Sequence, residues 1–95
     1  MFYTYILKSL INSSYYIGSC QDIDVRFNLH NKGLVKSTKR YIPWKLIYKE
    51  EYETLSEASK RERQIKSWKK RAAIEKLLRL SRESSIKSGI KDFKI

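Results

Sequence analysis

Three short stretches open the chain: Phe2-Tyr3-Thr4-Tyr5-Ile6-Leu7-Lys8, then Asn12-Ser13-Ser14, then Tyr15-Tyr16-Ile17-Gly18-Ser19. The outer two are rich in aromatic and β-branched residues, which fit a pleated surface, and the middle one is a polar turn cluster. Together they predict a β-hairpin. Alternation along the first strand puts Tyr3, Tyr5 and Leu7 on one face. Gly18 within the second strand signals a bulge or a close backbone approach.

Beyond the hairpin, Asp22 is a candidate N-cap for a helix reaching about Asn31, with Gly33 past its end. Residues Lys32 to Lys45 form a basic loop without an acidic residue. Trp44 to about Tyr52 reads as a third strand. Leu55 to Trp68 reads as a second helix, entered through Thr54 or Ser56. A third helical stretch, after a break, spans Lys69 to Leu80, with Ile74, Leu77 and Leu78 as its apolar stripe. The fold class expected is therefore α/β (more closely α+β), a small three-stranded, largely antiparallel sheet flanked by helices in the order ββαβαα. One domain is expected over residues 1–80, followed by a flexible basic tail over 81–95.

Composition narrows the function. Ninety-five residues suit one domain with a modest core. Twenty-one Lys and Arg against ten Asp and Glu leave a net charge of +11, which attracts polyanions. Nucleic acid is the polyanion that rewards such charge most, through counterion release. No lipidation signal, apolar span or signal peptide points to a membrane. A single cysteine, Cys20, forbids an internal disulfide and fits a reducing cytoplasm. One Cys and one His also exclude a thiolate or imidazole zinc cluster.

Several residues stand out from this frame. Asp22, Arg26 and His30 recur at every fourth position, so they share a helix face. That face reads equally as a solvated ion pair with a surface histidine or as a ligand-facing pair. Glu62 falls in the inward stripe of the second helix while Lys60, Arg61, Arg63 and Lys66 surround it. A carboxylate kept there needs a counter-charge. A structural salt bridge, with Arg26 as one candidate, supplies one reading, and a hard divalent cation supplies the other. Mg²⁺ needs only one or two carboxylates, with water and phosphate filling its remaining positions. Tyr5 and Tyr16 are near neighbours across the hairpin. They read as core packing, or as a phenol made basic by nearby cations. Lys36, Lys39 and Arg40 in the loop, with Lys66, Lys69, Lys70 and Arg71 around the break after the second helix, are candidate phosphate contacts. A charge run of this kind is otherwise a solvated helix face.

In this order and spacing the residues resemble the GIY-YIG nuclease family. Tyr3-Thr4-Tyr5 stands where the family has Gly-Ile-Tyr, and Tyr16-Ile17-Gly18 matches its Tyr-Ile-Gly. Arg26, His30 and Glu62 then follow in the family's order. The run Thr38, Pro43-Trp44, Ala58, Glu62, Ile65-Lys66 and Trp68 looks like the short stand-alone branch. The resemblance implies a phosphodiesterase site around one Mg²⁺ or Mn²⁺ at Glu62. It implies that Arg26 steadies the scissile phosphate and that Tyr5 or Tyr16 takes a proton from water. His30 would orient or polarise that tyrosine.

Two departures accompany the match. Tyr3-Thr4 replaces the Gly-Ile of the first motif, and no Asn occurs after Asn31, where several members place one. The function expected is a metal-dependent endonuclease acting on DNA, on branched or damaged substrates in repair or recombination. Target choice would come from the basic surface or from a protein partner. Two other readings are a non-catalytic nucleic-acid-binding module of the same fold and an RNA- or ribosome-associated basic protein. The last leaves Glu62 unexplained.

Overall fold

A computed structural model describes residues 1–90, with side chains described for residues 1–81. Its elements follow the expected order: β1 (Phe2–Ser9), β2 (Tyr15–Cys20), α1 (Ile23–Asn31), β3 (Trp44–Tyr52), α2 (Leu55–Ser67) and α3 (Arg71–Ile90). A single 3-10 turn at Lys39–Tyr41 interrupts the basic loop. The strands form one antiparallel sheet in the order β2-β1-β3. The central strand β1 is thus paired on both sides, and β2 is an edge.

The two-residue period of β1 sorts its side chains onto two faces. On one, Tyr5 and Leu7 pack with Ile23 and Trp44, and Tyr16 and Phe27 close against them beneath α1. On the other, Ile6 meets Ile17, Ile65 and Ile74 beneath α2 and α3. Ile6, Leu7 and Ile65 are wholly buried. Each such side chain contributes roughly 1.5–3 kcal/mol through removal from water. Thr4, also fully buried, donates to the carbonyl of Ala58 at 2.7 Å and ties α2 to the sheet.

Helix boundaries follow local chemistry. Asp22 caps α1 by accepting from the Val25 N–H at 3.1 Å. Gly33, at φ 74°, allows the chain to turn away after that helix. Thr54 and Glu57 form a reciprocal capping box at the start of α2. Between α2 and α3 lies the expected break, where Lys69 adopts a left-handed φ of 55°.

Three particulars differ from the sequence reading or sharpen it. Leu55 shares the helical stripe of Ala58 and Ile65 by its spacing yet is 48% exposed, at the first position of α2. Gly18 sits in an unbroken β1–β2 register, so it marks a close approach and no bulge. A Cβ there would lie 2.6 Å from the Tyr5 hydroxyl. α3 continues past Leu80 to Ile90, since no Gly or Pro interrupts the chain before Gly89. Residues 91–95, the remainder of the expected tail, lie outside the described residues.

Candidate active site

The site lies along the β2 edge, where side chains from both faces of the sheet can meet. Tyr5 extends from β1 beneath α1, and its hydroxyl lies 2.9 Å from His30 Nε2. His30 Nδ1 in turn lies 2.7 Å from Thr38 Oγ1. Tyr5 is 2% exposed, and His30 and Thr38 are fully buried. The reading of His30 as a surface histidine is therefore overturned. Burial, and then the nearby charge of Arg26, lower its pKa to about 4. The imidazole is consequently neutral at physiological pH. Burial pushes the Tyr5 phenol up, and the Arg26 guanidinium beside its hydroxyl opposes this only in part.

Arg26 lies one helical turn before His30 on the same face of α1, as the spacing required. Its Nε is buried and has no hydrogen-bond partner among the described residues. A buried guanidinium donor left open costs free energy unless a ligand completes it. Tyr16, only partly buried, stacks edge-on with His30, ring centroids 5.0 Å apart. Its ring centroid is 6.3 Å from that of Tyr5. Tyr5, Tyr16, Arg26 and His30 are thus one cluster.

Glu62 approaches from the opposite face of the sheet. Its Oε1 accepts from the Ser19 hydroxyl of β2 at 2.7 Å, and its Oε2 from the Lys66 ammonium at 2.6 Å. The counter-ion suggested for it, Arg26, is replaced in that role by Lys66, one turn along the same helix. Lys66 also stands 6.0 Å from the Tyr16 ring centroid, which joins Glu62 to the tyrosine cluster. No group of three or more His, Cys, Asp or Glu able to hold a metal occurs among the described residues. The donor set is one carboxylate, 20% exposed and next to a hydroxyl. That suits a hard cation that keeps most of its water and takes the rest from phosphate. A caged metal would require more protein ligands.

The basic candidates divide between the two sides of the sheet. Lys36, Lys39 and Arg40 are exposed on the loop that Thr38 anchors to α1. Lys66, Lys69, Lys70 and Arg71 line a groove of about 320 Å³ beside β2, whose apolar floor includes Ile17, Ile65 and Ile74. Arg71 stacks on Tyr15 there, 4.3 Å from its ring centroid. No helix among the described residues is long and apolar enough to cross a membrane.

Sequence reasoning assigned no role to Thr38, Ser19 or the Glu62–Lys66 pair. The pair was visible in principle, since Glu followed four positions later by Lys is the favourable helical spacing. Thr38 and Ser19 act through contacts eight and forty-three positions away, and no local pattern encodes those.

The chain is similar to several known proteins. Residues 1–77 match the GIY-YIG catalytic domain. UPF0213 proteins of Staphylococcus aureus, those of strains Mu3 and COL among them, are each 42% identical over 82 residues. The overlap takes in 85% of this chain and 94% of theirs. The solution NMR structure of the UPF0213 protein BH0048 from Bacillus halodurans is similar at a TM-score of 0.55 and 30% identity. It covers 84% of this chain and 85% of that one.

Proposed function

The chain belongs to the GIY-YIG family, and on that footing we propose that it is a divalent-metal-dependent endonuclease that hydrolyses DNA phosphodiester bonds. The observation that carries this reading is Arg26, whose buried Nε has no partner among the described residues and lies beside the tyrosine cluster. A guanidinium matches a phosphate in shape and charge, and it serves best where negative charge grows during reaction. Tyr16 is the tyrosine placed to take the proton of an attacking water, because Tyr5 is buried with its hydroxyl turned to His30. Glu62 is the residue that would hold Mg²⁺ or Mn²⁺, with Ser19 steadying its carboxylate. Such an ion, when bound, supplies charge neutralisation on the phosphate and on the departing oxygen. The exposed lysines and arginines on either side of the edge strand give the electrostatic attraction for the DNA backbone.

A second reading, a non-catalytic binding module, draws on the Glu62–Lys66 pair, which a purely structural ion pair would also form. The two are separated by Arg26→Ala, assayed on supercoiled plasmid and on branched oligonucleotides with Mn²⁺ present. Removing one preorganised donor should slow cleavage by about a hundredfold or more. Affinity should fall only severalfold, since many other cations hold the backbone. Cleavage unchanged by Arg26→Ala would remove Arg26 from the reaction, and binding without cleavage by the parent chain would favour the module. Branched or damaged DNA as the preferred target would appear as faster cutting of those oligonucleotides than of linear duplex.

A further inference from the structure

The hydrogen bonds that link Tyr5, His30 and Thr38 point to one arrangement of protons. Arginine carries donors and no acceptor, so the charge of Arg26 near Tyr5 offers the phenol proton nothing to bond. The Tyr5 proton therefore points elsewhere, and the acceptor in reach is His30 Nε2 at 2.9 Å. Nε2 must then be bare. A neutral imidazole with bare Nε2 carries its proton on Nδ1, which needs an acceptor of its own. Thr38 Oγ1 stands there at 2.7 Å, and its own proton is directed at the Val35 carbonyl, 3.3 Å away. The carbonyl of the same threonine accepts from the Trp44 indole at 2.9 Å, which fixes the residue in place.

We propose that Thr38 is a positioning residue that holds His30 as the Nδ1–H tautomer and so makes the Tyr5 phenol a donor to Nε2, with its own lone pairs left open to the site. The chain runs Tyr5 to His30 to Thr38 to Val35, each member donating to the next. In the opposite tautomer Nε2–H would donate to Tyr5, and the phenol proton would lose the one acceptor it has among the described residues. The arrangement gives Tyr5 a purpose that its burial otherwise denies it: an oxygen whose lone pairs are not taken by His30 and can aim at Arg26. The value of that aim rests on the function proposed above. The tautomer itself does not.

The chain contains one histidine, so its ring can be read without ambiguity. Long-range proton–nitrogen correlation spectra of the untagged, isotope-labelled chain at neutral pH distinguish a protonated ring nitrogen from a bare one. The expected spectrum shows Nδ1 protonated and Nε2 bare. Thr38→Val, of nearly the same shape but without the hydroxyl, should relax this preference and populate the Nε2–H form, and Thr38→Ser should restore the original pattern. On DNA with Mn²⁺, Thr38→Val should also slow cleavage by about tenfold to a hundredfold, as a misaimed group does, with affinity unchanged. A wild-type ring protonated on Nε2 would overturn the proposal even if no variant folds. So would a Thr38→Val spectrum identical to the parent's. A wild-type chain with the expected spectrum that fails to cut any DNA would sink the nuclease reading and leave the tautomer standing.

Discussion

Lys66 and Glu62 show how a magnitude separates a latch from a placeholder. Their 2.6 Å contact leaves the Lys66 side chain 49% exposed, and such a helical pair is worth about 0.3–0.5 kcal/mol. A divalent cation displaces it at little cost. Lys66→Met should tighten Mn²⁺ binding, followed by calorimetry, by only about twofold. A tenfold gain would mean that the ammonium locks the carboxylate and that the site is closed at rest. His30 gives a second test. Its folded pKa of about 4 lies below the ordinary value of 6.5. Above that ordinary value the ring is neutral in both states and its contribution is complete. As pH falls from 6.5 toward 4, the unfolded chain takes up a proton that the native chain refuses, so stability declines. The loss should reach at most about 3 kcal/mol. Urea midpoints across this range should fall more steeply for the parent chain than for His30→Gln. Parallel slopes would contradict a neutral buried imidazole, with Tyr5, Tyr16, Arg26 and Thr38 around it. That Arg26 and His30 share a helix face and that Tyr5 and Tyr16 are neighbours across the hairpin was legible in the sequence, because each sits on a regular element whose period sets its face. The partners that hold them were not: Thr38 lies in a loop, where no periodicity tells a buried threonine from an exposed one.

The elements themselves were the most legible layer. Aromatic and β-branched runs marked the strands, and Asp22 and Thr54 marked the helix starts by satisfying N–H groups that have no helical partner. Helix ends were harder to read. Leu80 looked terminal only because the apolar stripe stops there, whereas Ser, Lys and Glu continue a helix without a stripe. The close fit of β2 on β1 gives the prediction that belongs to this level. Gly18 has no room for a methyl group, since a Cβ would lie 2.7 Å from the Tyr5 ring carbon Cζ as well as against its hydroxyl. Gly18→Ala should cost about 1–3 kcal/mol by overpacking, measured by urea denaturation. The displaced Tyr5 should also break its contact with His30. A cost below about 0.5 kcal/mol would show that Tyr5 has a second place to go. On the far strand, Glu50 is held by a different device. Burial pushes its carboxyl up, and hydrogen bonds from Arg61, Tyr48 and Tyr52 outweigh that and hold it below the usual range. The network pins α2 to β3 while leaving the β2 edge clear for the site.

At the level of the whole molecule, charge does what no single residue can. A net charge of +11 on 95 residues draws a polyanion from every side, but the structure concentrates Lys66, Lys69, Lys70 and Arg71 beside the edge strand that carries Tyr16 and Ser19. Reversing Lys69, Lys70 and Arg71 to Glu should weaken DNA binding and flatten the dependence of log affinity on log salt, by about 0.9 for each phosphate no longer neutralised. An unchanged slope would move the binding face to the Lys36–Arg40 loop. Net charge and its sign were plain from composition, whereas the sorting of the cations onto two sides of the sheet needed the fold. The central claim, that Glu62 holds a metal for phosphodiester cleavage beside the tyrosine cluster, has one direct measurement. Wild-type chain and Glu62→Gln are compared on plasmid DNA with Mg²⁺ or Mn²⁺ and with chelator. The account predicts metal-dependent cutting by the wild type, none by the variant, and DNA affinity retained or raised in the variant. Equal cutting by Glu62→Gln would contradict it.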